Sequence, residues 1–247
     1  MMFDLNYFQL AIVALCAMMI GLTKSGIPGL SILTVPLMAT VLPVRSSVGV
    51  LLGILILGDL FAAFFHRRNA NWSHVICLLP ATLVGIVIGY FLLKIVTNEQ
   101  LKPIIGVIVL AMLAIHFWRT KTAASDDPVP AKWYFATAMG LIAGISTMMA
   151  NAAGPIMIIY LLAMQLDKTE FVGTRAWFFL VVNWIKVPFM ANLQLMTPES
   201  VRLDLLMLPF IAIGAVVGIL LLKKIPQKAF TIVVQVLTVA AAIKLLF

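Results

Sequence analysis

The sequence predicts an all-α polytopic membrane protein made of two inverted repeats, each a broken, re-entrant pair of half-helices followed by three long transmembrane helices. Three observations carry that expectation. Of the 247 residues, 63% are hydrophobic and 11% charged, and the mean hydropathy of +1.13 is far above that of a water-soluble domain. Apolar runs at residues 73–96, 101–118, 133–150, 203–222 and 230–247 have the length, roughly 17 to 25 residues, that crosses a bilayer as helix. One long motif also occurs twice with unchanged spacing. "LPATLVGIVIGYFLLK" at 79–94 and "LPFIAIGAVVGILLLK" at 208–223 both read L-P-x4-G-x3-G-x2-L-L-K, the mark of an internal repeat.

The halves follow from that motif. Val48-Gly49 aligns with Val172-Gly173, at the same offset that aligns Asp59 with Asn183. The first repeat covers 1–118, a polar linker 119–132, and the second repeat 133–247. Each half opens on a first apolar run (7–22; 133–150) and a short one (30–42; 155–165), then three long runs. At about 1.5 Å per residue the short runs reach only roughly 15 to 20 Å, less than the bilayer's apolar thickness. They are expected to be half-helices folded back beside the first run. Each half then crosses an odd number of times, so the second enters from the opposite face. A single bent helix over 7–42 would instead give parallel repeats.

Charge sets the orientation. The net charge is +8, but the basic residues sit in short gaps between apolar runs, which is the positive-inside pattern and no nucleic-acid surface. Arg67, the linker 119–132, Lys168 and Lys223 to Lys228 fall on the richer, cytoplasmic side, leaving both termini outside. The location expected is the plasma (inner) membrane, with the lipid bilayer as partner. The amino-terminal run follows Asp4 with no Lys or Arg before it, so it reads as a retained helix and not a cleaved signal. Cys16 and Cys77 read as packed thiols. Neither the cysteines nor His66, His74 and His116 show metal spacing, and no cofactor is expected.

Two stretches interrupt the apolar pattern, "KSGIPG" at 24–29 and "NAAGP" at 151–155. Unpaired backbone amides cost several kcal/mol in lipid, so such breaks survive only where they line protein or a water-filled cavity. Pro28 and Pro155 suit the first turn of a new helix, and the glycines allow the tight turns. Each half-helix then aims its amino terminus, with free donors and about half a positive charge, at the bilayer interior, which is an anion site.

The expected binding residues are Lys24, Ser25, Gly29, Asn151, Gly154, Asn183 and Lys186. A lysine at membrane depth is costly and marks function by default, although Lys24 and Lys186 could also snorkel to an interface. Ser25, Thr147 and Asn151 could cap a half-helix, contact an anion, or both. Asp59 reads either as the structural partner of a cation such as Lys186 or as a proton site. Arg175, near the start of its helix, reads as a headgroup contact. Gly85, Gly89, Gly214 and Gly218 have the small-xxx-small spacing of close helix packing, a face that also suits a homo-oligomer. An intramembrane enzyme would need H-E-x-x-H or paired acids at helix centres, and the adjacent acids Asp126 and Asp127 lie in the linker. The reading is therefore a transporter of small anions and no enzyme; the alternatives are a carrier of another small oxyanion or a cation, or a non-transporting scaffold.

The segments "GIPGLSILTVPLMA" (26–39), "NAAGPIMIIYLL" (151–162) and above all "VGTRAWFFLVVNWIKVPF" (172–189) resemble the sulfite exporter TauE/SafE family of membrane permeases. The resemblance covers essentially the whole chain and is most specific in GT-x-A-x-FF-x3-N-x2-K. It implies transport, often export, of sulfite or organosulfonates, and it brings Asn183 and Lys186 forward as site residues. Because the cytoplasm is negative, export of an anion runs downhill on membrane potential alone, with proton coupling left open.

Overall fold

A computed structural model of the chain describes residues 5–24, 30–122, 133–221 and 243. The described residues form helices α1 (Tyr7–Lys24), α2 (Leu30–Val41), α3 (Val44–Phe65), α4 (Trp72–Ile95), α5 (Asn98–Thr122), α6 (Trp133–Ala150), α7 (Gly154–Ala163), α8 (Lys168–Asn192), α9 (Pro198–Leu206) and α10 (Leu208–Leu221), and no strand. By length and composition α1, α3, α4 and α6 can each cross a membrane; α9 and α10, bent by 42° at their junction, are together long and apolar enough for a fifth, broken span or for a re-entrant loop. The chain is a multi-pass, all-helical membrane protein.

The bend corrects the expectation of one helix over 203–222. α9 starts earlier, at a capping box in which Thr197 accepts from the Ser200 amide and Ser200 closes on the Thr197 amide, and the helix breaks at Met207. Pro209 sits just beyond that break; it has no N–H and its ring excludes the carbonyl four residues back. The matching Pro80 is carried inside the continuous α4, so the same Leu-Pro pair breaks one helix and not its counterpart. The run at 230–247 lies outside the described residues, apart from Ile243.

Both short helices fold back on their predecessors. Gln9 Nε2 donates to the Val41 carbonyl at 3.2 Å, and Cys16 Sγ lies 4.0 Å from the Thr34 carbonyl; α1 and α2 therefore run antiparallel as a hairpin, and its tip is here the last turn of α1 and the first turn of α2. In the second half the Phe135 and Tyr160 rings stack at 6.1 Å, which lays α7 antiparallel on α6 around a tip at residues 151–153. Asn151 turns that tip with φ 53°, a left-handed conformation that Asn tolerates better than most residues.

The repeated glycines do the packing expected of them, between helices of opposite halves. A Cβ on Gly85 would lie 2.3 Å from the Leu141 carbonyl oxygen and 2.9 Å from the Gly144 Cα; one on Gly214 would lie 2.1 Å from the Met18 carbonyl oxygen. Only hydrogen fits at such an approach, and the reward is dense backbone contact where lipid offers no hydrophobic drive for association. These pairs, α4 with α6 and α1 with α10, form the two broadest helix contacts among the described residues. The small-residue faces at Gly85, Gly89 and Gly214, considered above for a homo-oligomer, are filled from within the chain, because the intramolecular partner is always present.

Candidate functional site

α8 begins where Asp167 caps it: one carboxylate oxygen accepts from the amides of Thr169 at 2.9 Å and Glu170 at 2.8 Å. Those donors, the Glu170 amide foremost, hold the exposed Asp167 carboxyl below the usual carboxylate range. From that start, Arg175, Phe179, Asn183 and Lys186 follow at steps of four, four and three residues, one stripe of a helix. The stripe faces both hairpin tips.

Lys186 is fully buried, at 0% exposure, and does not snorkel. Its ammonium donates to Thr147 Oγ1 at 3.1 Å, Asn151 Oδ1 at 2.5 Å and Asn183 Oδ1 at 3.3 Å, which uses all three of its donors. The Asn183 amide in turn gives Nδ2 to Asp59 Oδ2 at 2.7 Å. The other oxygen of Asp59 pairs with Lys24. Asp59 therefore has a cationic partner, but that partner is Lys24 and not the Lys186 suggested by sequence; α1 ends against α3 at the level of Asp59 and brings its last side chain there. Lys24 also lies 5.0 Å from the centroid of the Phe179 ring, a cation–π contact. The Asn151 amide reaches across to the Val48 carbonyl at 2.9 Å, tying the second hairpin tip to α3.

Arg175 makes a contact that the sequence reading did not anticipate. Its described partner lies at the first hairpin tip, where Nη2 donates to the Thr23 carbonyl at 3.1 Å. That carbonyl belongs to the last turn of α1, where helix carbonyls lack intrahelical partners and attract cations. One guanidinium donor is thereby used. The spacing to Asn183 and Lys186 on a single helix face was the sequence signal that could have found it.

Between the tips lies a cavity of about 40 Å³, lined among others by Lys24, Ser31, Asn151, Gly154, Arg175 and Asn183. One water needs about 10 to 15 Å³ on this measure, so the space suits a small solute. The first residues of α2 and α7 meet there: a Cβ on Gly154 would lie 3.7 Å from Ser31 Oγ. Of the expected site residues, Lys24, Asn151, Gly154 and Asn183 line the cavity. Lys186 stands behind Asn151 and Asn183, and Ser25 and Gly29 lie outside the described residues. No group of three His, Cys, Asp or Glu side chains among the described residues could hold a metal ion.

The model of the sulfite exporter TauE/SafE family matches residues 13–245. The chain belongs to that family. No curated protein and no solved structure matches it. Membership in TauE/SafE makes the chain a membrane transporter of the sulfite exporter family, and the network described above is the polar interior of that transporter.

Proposed function

We propose that this TauE/SafE chain exports a small sulfur oxyanion, sulfite or an organosulfonate, across the plasma (inner) membrane, and that the anion binds in the cavity between the two hairpin tips. The observation that carries the reading is the meeting of two half-helix starts with Arg175. The ion pair with Asp59 compensates Lys24, and the three neutral oxygens around Lys186 consume its donors, whereas Arg175 spends a single described hydrogen bond on Thr23. A guanidinium with donors to spare is suited to the flat pair of oxygens that sulfite or a sulfonate presents. Lys186 contributes positive potential through Asn151 and Asn183, which it orients.

The reading includes two inverted repeats, 1–118 and 133–247, joined by a cytoplasmic linker, with both termini outside. Support comes from a pair of contacts exchanged between the halves. Gly49 packs on the Leu195 carbonyl after α8, and Gly173 packs on Asn69 after α3. The two hairpins fold alike, and each first helix packs on the Leu-Pro helix of the other half. Net export is favoured by about 2.3 kcal/mol per unit charge per 100 mV of potential.

The test is binding and efflux with purified protein in proteoliposomes. Arg175→Gln is expected to lower sulfite affinity by about 2 to 5 kcal/mol, the range for removing one member of a desolvated charge pair, with Arg175→Lys intermediate. Wild-type affinity in Arg175→Gln would place the anion elsewhere, and no flux of any small anion through the wild type would favour a non-transporting scaffold.

A further inference from the structure

Asp204 is a buried carboxyl that the anion site does not use. It lies in α9, three residues before the break at Met207, and is 3% exposed. Among the described residues neither of its carboxyl oxygens has a hydrogen-bond partner. The side chain presses against α3 at Gly53, where a Cβ would come within 1.8 Å of Oδ2, so the glycine is what makes room for it. Among the described residues, every titratable group on the elements packed against it is engaged elsewhere or faces away. On α9, Glu199 and Arg202 are exposed. On α3, Arg45 donates to the Val96 carbonyl at 3.0 Å and Asp59 is paired with Lys24. The described residues of α10 and of the turn between α8 and α9 include no titratable side chain.

An ionised carboxylate stripped of water, with no donor and no cation, is among the most expensive groups a membrane interior can hold. The form that suits this site is the neutral acid, in which a bound proton takes the place of the missing partner. A merely structural position could carry Asn or Leu at lower cost. We propose that Asp204 is a proton-binding site through which the transporter takes up and releases one proton per transport cycle. The proton joins one carboxylate oxygen when the site opens to one side and leaves from it to the other, with no other bond made or broken. The 42° bend between α9 and α10 lies directly beside the site and supplies a joint at which α9 can move against α3. α3 also connects the two functions: Gly53 carries the contact with Asp204, while Leu55 lines the anion cavity and Asp59 holds Lys24 and Asn183. Asp59 does not offer the same chemistry, since both of its oxygens are occupied.

Two measurements test this, one of which does not depend on the anion reading. In infrared difference spectra of the purified transporter across a pH titration, the wild type is expected to show a protonated-carboxyl C=O band that Asp204→Asn lacks; an unchanged band in the variant overturns the proposal. In proteoliposomes clamped at zero potential, a pH gradient of one unit should concentrate methanesulfonate, whose charge does not vary with pH, about tenfold for one proton per anion, and the sign of the effective gradient gives the direction of coupling. Asp204→Asn should abolish accumulation but keep methanesulfonate counterflow. Accumulation in Asp204→Asn equal to the wild type, or wild-type flux indifferent to the gradient, overturns proton coupling. Absence of any methanesulfonate flux together with a persistent carboxyl band counts against the sulfonate reading and leaves the proton site standing.

Discussion

Asp59 and Asn183 occupy matching places in the two halves, yet the polar clusters around them solve the same problem by different means. On the first side an ammonium at the hairpin tip meets a carboxylate on the long helix, and the pair is close to electrically neutral. On the second side the ammonium is on the long helix, and Thr147, Asn151 and Asn183 supply only neutral oxygens. A buried lysine can thus be accommodated either by a counter-ion or by saturating its donors. The first choice removes its charge from the cavity and the second leaves a positive potential there. Unlike electrostatics on the two sides are what the proposed anion site rests on.

The largest break in this comparison should come from Lys24→Met. It strands a carboxylate at 0% exposure, and removing one partner of a buried pair costs about 3 to 5 kcal/mol. The double change Lys24→Met with Asp59→Leu should recover most of that loss. Thermal unfolding in detergent reads both; equal stability of the single and double variants would mean that the pair is not coupled.

On the other side, Lys186→Met leaves neutral acceptors unsatisfied and no orphan charge, for which about 1 to 3 kcal/mol is expected. The same variant should bind sulfite more weakly, through lost potential and looser Asn183, but should suffer less than Arg175→Gln. A Lys186 variant less stable than Lys24→Met would overturn the distinction between the two sides.

The scaffold, unlike the charges, should respond alike in both halves. Gly85→Ala and Gly214→Ala each force a methyl against a backbone carbonyl, at 2.3 Å and 2.1 Å respectively, and overpacking of this kind typically costs about 1 to 3 kcal/mol. Unfolding midpoints that fall in one variant and not the other would show that the halves are packed differently.

The smallest effect belongs to Asp167. Its carboxyl titrates lower in the folded chain than in the unfolded one because the Glu170 and Thr169 amides favour the charged form. Its contribution is therefore complete above the unfolded pKa and lost as pH falls through the folded one. In Asp167→Asn, still a competent cap, stability at neutral pH should scarcely change, whereas that part of the acid-side decline should vanish from a pH series of unfolding midpoints.

Much of the frame was legible before any coordinates. Hydropathy and two breaks were enough to anticipate α1 ending beside "KSGIPG" and α7 beginning beside Pro155, since both depend on short-range chemistry. The Leu-Pro repeat announced the matching helices, and the glycine spacing announced close packing. The contact of Arg175 with Thr23 and the pairing of Asp59 with Lys24 in place of Lys186 were not legible there, because neither feature is local. Each depends on which helix faces meet.

By itself, then, the sequence determined that this protein is a polytopic membrane helix bundle whose helix breaks must line something polar. Backbone groups in lipid have to be satisfied within the chain, and a bilayer reads composition and length directly. Only the tertiary structure decided the partners: that Asp59 neutralises Lys24, that Lys186 lies behind two asparagines, that Arg175 reaches the cavity, and that Asp204 is buried against Gly53 without a partner among the described residues. Those outcomes rest on distances between residues up to about 150 positions apart in the chain, and the strength of a charge in a low-dielectric interior depends on the few ångströms around it.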